Sequence, residues 1–279
     1  MDVDRLASEL PHLRDEYRDA HPFPHIVLDD LLDPDTFRTA VSEFPTVDGD
    51  HWTSYLHVNE RKHGNTHLDT WGPTLQSVAD ALMSPPFLAF LEELTGIPGL
   101  LPDPTFDGGG LHRTTAGGFL NIHTDFTAHH TNPTWHRRVN LLLYLNAEWD
   151  EAWGGHLELW EPDMRACAER VLPKGNRAVI FSTTERALHG HPTPLAAPEG
   201  IARQSMALYY FTEGARPVIK ATDYRARPED GAKRVLIWLD KKSLRGYDVV
   251  KRRLGISDAA ISRVLTRTQR VRDSMGRRR

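Results

Sequence analysis

The chain has one cysteine, Cys167, in 279 residues. It can form no internal disulfide, and no thiolate-rich metal cluster can assemble within it. Long apolar runs are also missing. The longest, VNLLLYL at 139–145, falls far short of the roughly 20 residues that span a bilayer. The opening MDVDRLASELPHLRDEY is acidic and helix-like, without the basic and apolar regions of a secretion signal. There is no internal repeat or low-complexity tract, which argues against a solenoid or a flexible linker. Together these absences predict a protein of the reducing cytoplasm, with no membrane association.

What is present is ordinary for a soluble globular protein: 39% hydrophobic and 26% charged residues, with a formal net charge of −4. The charge is unevenly spread. Residues 225–279 hold 17 of the 34 Lys and Arg but only 6 of the 38 Asp and Glu. This basic end reads most simply as helices that pack on the acidic body or on a second subunit, as in a homodimer. Its segment KRRLGISDAAISRVLTRTQR (251–270) has only a faint helix-turn-helix character, so nucleic-acid binding is disfavoured.

Three regions follow from the patterning. Residues 1–104 read as mixed and mostly helical, packing on the core. A helix is expected at 2–20, a short strand at 25–32, a helix start at Asp33-Pro34-Asp35, and helical spacing over 71–94 interrupted by Pro85-Pro86. Residues 105–215 hold short apolar or alternating segments bounded by Gly, Pro and Asn, at 108–112, 117–125, 137–146, 154–160, 177–182 and 203–211. No long helical crossover separates them, so the fold class is mainly β with flanking helices. The best specific choice is a double-stranded β-helix of jelly-roll type. Residues 216–279 form the basic helical extension.

The chemistry concentrates in the β region. His123 and Asp125 lie two apart on a predicted strand, so both project from one face and can grip one ion. A second imidazole comes from His189-Gly190-His191, where strand spacing alone permits either histidine. Two imidazoles and a carboxylate leave three positions open on a metal, which suits Fe(II) and O₂ chemistry. A 2-oxo diacid bound to such an ion would leave a far carboxylate in the barrel, in need of a fixed cation and donors. Arg203, sharing a strand face with Ser205, and Tyr144, on a face with Asn140 and Leu142, can supply them.

These segments resemble the prolyl-4-hydroxylase-like branch of the Fe(II)/2-oxoglutarate-dependent oxygenases over roughly residues 105–212. The resemblance is carried by HTD (123–125), Arg137 with Asn140, YLN (144–146), Gly154-Gly155 before LELW (157–160), HGHPTPL (189–195) and Arg203-x-Ser205 before YYF (209–211). It implies a double-stranded β-helix and iron held by His123, Asp125 and His189. His191 falls at a position that is usually apolar in that family. The resemblance also implies 2-oxoglutarate bound by Tyr144 and Arg203, O₂ as co-reactant, and succinate and CO₂ as products. Related halogenases lack the aspartate, so the intact Asp125 points to hydroxylation. Substrate is expected to be a small molecule, such as an amino acid or an intermediate of specialised metabolism; a peptide or protein side chain is the alternative.

Further pocket candidates are Asn121 and Ser205 beside the cosubstrate, and His112, Arg113, Leu157 and His191 beside the substrate. His129, Trp135 and Arg137, in or just after the 126–136 loop, are expected to overhang the iron. Segment 50–75 is expected to form the other wall of the mouth. Zinc hydrolysis could use the same three ligands, but it leaves Arg203 and Tyr144 without a purpose. A non-catalytic sensor on this barrel is disfavoured by the intact ligand set.

Overall fold

The computed structural model of the protein describes residues 3–215, 219–231 and 234–237. Four α-helices occupy the first hundred residues: α1 (Val3–Asp19), α2 (Pro34–Ser42), α3 (Pro73–Leu82) and α4 (Pro85–Thr95). The strands are β1 (His25–Leu28), β2 (Thr53–Leu56), β3 (Glu60–Asn65), β4 (Leu101–Pro102), β5 (Gly110–Thr115), β6 (Phe119–Thr124) and β7 (Trp135–Tyr144). They continue as β8 (Leu157–Trp160), β9 (Cys167–Val171), β10 (Ala178–Ser182), β11 (Leu188–His191), β12 (Ala202–Glu213) and β13 (Asp223–Tyr224). Helix starts follow local chemistry. Asp33 caps α2 by accepting from the Thr36 amide at 3.0 Å, and prolines open α2, α3 and α4. The Pro85-Pro86 pair therefore begins a new helix rather than merely interrupting one.

All thirteen described strands join one antiparallel sheet that curls into a nearly closed barrel. Ten follow the order β1-β10-β7-β12-β5-β3-β6-β11-β8-β9, with β13 pairing β6, β2 pairing β3 and β4 pairing β12 beside that path. Strand β3 links the halves, pairing His63 with Arg113 on β5 and Glu60 with Leu120 on β6. Residues 1–104 thus contribute not only helices but also β1–β4 to the core sheet. The double-stranded β-helix expected from the sequence is the observed fold. The basic helical extension lies mostly outside the described residues, as does any dimer contact through it.

Alternation along β7 and β12 separates core from site. Val139, Leu141 and Leu143 on β7, with Met206, Leu208 and Tyr210 on β12, are buried in one cluster with Leu75, Leu82, Phe87, Phe90 and Leu91 of α3 and α4. The Tyr210 hydroxyl donates to the Leu82 carbonyl at 2.9 Å and ties sheet to helix. The intervening Asn140, Leu142, Arg203, Ser205 and Tyr209 line the barrel interior. A second cluster, including Val179, Phe181, Leu157 and Leu159, closes the inside of the barrel around Tyr144. Each large side chain so buried contributes about 1.5–3 kcal/mol, and the period of two lets one strand serve both sides.

Leu141→Ala, on the helix side, is expected to lower unfolding free energy by about 2–5 kcal/mol. Leu142→Ala, half-buried on the cavity side, is expected to cost less and to alter turnover instead. Denaturant midpoints check this, and equal losses for the two variants would contradict the assigned faces.

Candidate active site

Strands β6 and β11 pair antiparallel with His123 directly opposite His189, and the two rings lie 4.5 Å apart between centroids. Asp125 follows the end of β6. Its Oδ1 lies 3.5 Å from His123 Nε2, and its Oδ2 lies 3.6 Å from His189 Nε2. The ligand atoms of all three residues fall within 4.8 Å of one another. Each imidazole is aimed from behind: His123 Nδ1–H donates to the Asn121 carbonyl and His189 Nδ1–H to the Ala187 carbonyl, both at 2.9 Å. That leaves both Nε2 lone pairs facing Asp125. Burial pushes His189 down to about 4 against the opposing pull of Asp125, so its imidazole is neutral at pH 7.

The carboxylate is held just as firmly. Asp125 Oδ2 accepts from Asn140 Nδ2 at 2.7 Å and sits 3.3 Å from Arg137 Nη2. Burial alone would raise this carboxyl, but Arg137 foremost, with His189 and His123, holds it well below the ordinary range. Arg137 is itself fixed. Its Nε donates to Asn140 Oδ1 at 2.9 Å, and its guanidinium stacks on Tyr209 at 3.3 Å and on Phe126 at 4.5 Å. Two neutral-capable imidazoles and an anionic carboxylate on one side of a point match the donor set of a non-haem iron facial triad.

These groups open into a cavity of about 230 Å³. Its inner wall carries Arg203, which is buried and has no carboxylate partner among the described residues. Arg203 Nε donates to the Gly155 carbonyl, and Nη2 donates to the Tyr144 hydroxyl, each at 2.9 Å. Since Tyr144 accepts that bond, its own hydroxyl proton remains available to a ligand. Burial raises the Tyr144 phenol despite the pull of Arg203, so it stays protonated. A lone buried guanidinium beside a phenol donor fits a carboxylate. Two glycines make the approach possible. A Cβ at Gly155 would stand 2.6 Å from Leu195 and 3.3 Å from Arg203, and its φ of +73° favours glycine. One at Gly190 would meet the Leu120 and Asn121 carbonyls at 2.7 and 2.8 Å.

Several residues expected from the sequence come together here. His112, His123, Asp125, Arg137, Leu157, His189, His191, Arg203 and Ser205 line the cavity, and Tyr144 reaches its wall through Arg203. The ligand-atom cluster contains His189 and leaves out His191. Others lie elsewhere. Asn121 turns away, donating to the Val58 carbonyl and to Asn59 Oδ1. Arg113 is half-exposed and does not line the cavity. His129 is buried against Asp103 and receives the Thr131 and Asn132 amides, which makes it the internal brace of its loop. Trp135 packs on His129 and Phe211. Lining residues that the sequence did not single out include Tyr55, Glu60 and Lys62 on one wall, with Ala221, Thr222 and Tyr224 at the mouth. Segment 50–75 does supply a wall, through β2 and β3.

Residues 109–211 match the family model of the 2OG-Fe(II) oxygenase superfamily. No curated protein matches the chain. A Pseudomonas putida prolyl-4-hydroxylase shares the fold with a TM-score of 0.51 and 16% identity, over 72% of this chain and 100% of that one. A Trichoplax adhaerens prolyl hydroxylase, solved with a hypoxia inducible factor peptide fragment, gives 0.52 and 13%, over 75% and 91% of the two chains. The fold is that of the prolyl-4-hydroxylase-like 2OG-Fe(II) oxygenases. The domain over residues 109–211 supports a dioxygenase and implies Fe(II), 2-oxoglutarate and O₂ as its cofactors.

Titrating Mn(II) into the protein is expected to show binding weakened about 100-fold or more in His123→Ala and His189→Ala. Asn140→Ala, which removes a bond to a ligand, is expected to lose about 10- to 100-fold. His191→Ala is expected to bind normally. The reverse outcome, with His191→Ala dead and His189→Ala intact, would move the second imidazole by two residues.

Proposed function

We propose that the protein hydroxylates an unactivated C–H bond of a small molecule, of the size of an amino acid or a specialised-metabolism intermediate, with release of succinate and CO₂. The observation that carries the small-molecule reading is the strap that covers one side of the mouth. Residues 219–224 return across the barrel, β13 pairs with β6 beside His123, and Ala221, Thr222 and Tyr224 line the cavity. An extended peptide needs a groove open at both ends, whereas this strap roofs one side. The solved peptide complex of the Trichoplax adhaerens enzyme keeps a protein or peptide side chain as the second reading.

In this reading His123, Asp125 and His189 hold the iron, and residues 105–215 are the unit that carries the reaction. Bound Fe(II), with 2-oxoglutarate and O₂, supplies the oxidising power. The chain's own residues do the rest. Arg203, Tyr144 and Ser205 receive the far carboxylate of 2-oxoglutarate and fix its orientation, while Leu157, Leu142 and the apolar barrel cluster keep water from its methylenes. Asn140 and Arg137 hold Asp125 deprotonated and in place. Asp125 keeps a carboxylate where halide would need a vacant site, which favours hydroxylation.

Purified enzyme given Fe(II), 2-oxoglutarate and O₂ is expected to release succinate, faster when a small-molecule substrate is added and no faster with proline-containing peptides. Arg203→Ala is expected to raise the KM for 2-oxoglutarate at least about 30-fold, the equivalent of about 2 kcal/mol. An unchanged KM would remove the cosubstrate assignment, and peptide-stimulated succinate would favour the second reading.

A further inference from the structure

The charged groups that face the cavity do not balance. Glu60 and Asp125 are its carboxylates, and Lys62, Arg137 and Arg203 are its ammonium and guanidinium groups. Leaving the imidazoles aside, since any protonated one only adds to the excess, one positive charge is left over. Fe(II) and 2-oxoglutarate, a dication and a dianion, cancel each other and leave that excess in place. A cavity wall that sheds its water when substrate covers it cannot hold an uncompensated cation cheaply.

The three cations differ in how free they are to meet a substrate. Arg203 is engaged with Tyr144 and Gly155 at the cosubstrate end. Arg137 is clamped between Tyr209 and Phe126 and bonded to Asn140 beside Asp125. Lys62 is held more loosely. Its Nζ lies 3.2 Å from Glu60 Oε2 and 5.4 Å from the centre of the Tyr55 ring, on the β3 wall. Lys62 is the strongest pull on the buried Glu60 carboxylate, but it is not that group's sole partner. Oε1 of Glu60 also meets His57 Nε2 at 2.9 Å and the Tyr224 hydroxyl at 3.3 Å. Lys62 can therefore turn on its flexible stem toward a ligand without leaving a bare buried carboxylate behind.

We infer that the substrate carries one anionic group, most simply a carboxylate, and that Lys62 receives it on the β3 wall of the cavity. Lys62 lies outside the 109–211 segment that defines the family domain, so it is a specificity element of this chain rather than part of the shared core. The inference rests on the proposed small-molecule reading and narrows it to acids. N-acyl amino acids and other monoanionic acids qualify; zwitterionic amino acids, which bring their own ammonium, and amines, alcohols and amides do not.

The test uses the full chain loaded with Mn(II) and 2-oxoglutarate, so that binding is read without turnover. A panel of N-acetyl amino acids is compared with the matching primary amides by thermal shift and by titration. Acids are expected to bind at least tenfold more tightly than their amides. Lys62→Met is expected to abolish that preference while the dissociation constant for 2-oxoglutarate moves less than twofold. Amides binding as well as acids, no acid binding at all, or an acid preference that survives Lys62→Met would each overturn the inference. Failure of the oxygenase reading itself looks different: wild-type protein would then form no succinate from Fe(II), 2-oxoglutarate and O₂.

Discussion

The antiparallel register of β6 against β11 is the constraint on which the rest of the site depends. It sets His123 opposite His189, and the residue beyond the end of β6 then brings Asp125 within reach of both Nε2 atoms. A slip of one residue would turn every side chain of one strand to the other face. Gly190 allows this close pairing, because a Cβ there would collide with the Leu120 and Asn121 carbonyls. The backbone carbonyls of Asn121 and Ala187 then fix the two ring orientations. The ligand geometry is thus written mainly in sheet hydrogen bonding, with little left to side-chain freedom.

Around that register the barrel divides its labour by strand face. On β7 and β12 one set of residues packs on α3 and α4, and the alternate set carries Asn140, Arg203, Ser205 and Tyr209 into the cavity. Rigidity and chemistry are therefore coupled, since packing the helices on the outer face holds the inner face in place. The polar interior is arranged in charge-compensated units: Asp125 with Arg137 and Asn140, and Glu60 with Lys62, His57 and Tyr224. Arg203 stands outside these units, with a phenol and a carbonyl as its neighbours. The far carboxylate of a bound 2-oxoglutarate would face it; because Fe(II) and 2-oxoglutarate cancel each other, the cavity as a whole still keeps one positive charge in excess.

How much of this could be read from the sequence follows from the same physics. Strand β10 is legible as a short run that is apolar on both faces. The alternating apolar runs of β7 and β12 are legible because one face meets a core and the other a cavity, so the period of two survives. His123 and Asp125 were legible for the same reason. Strand β3, ERKHGN, carries no apolar alternation because it bridges the two halves of the barrel at a polar mouth, and with it Lys62 and Glu60 stayed hidden. Strands β11 and β13 are too short for any period. In the 126–136 loop, histidine and tryptophan look like mouth residues, yet His129 and Trp135 are drawn inward by Asp103 and Phe211. A local pattern does not reveal partners that are distant in sequence.

In the proposed function this cavity couples 2-oxoglutarate to O₂ at the His123–Asp125–His189 centre. The most direct measurement is mass spectrometry of succinate formed under ¹⁸O₂ by the Fe(II)-loaded enzyme. Succinate carrying one atom of ¹⁸O, formed by wild type and absent with His189→Ala, is the result the account requires. Unlabelled succinate, or equal labelling in the His189→Ala variant, would contradict it.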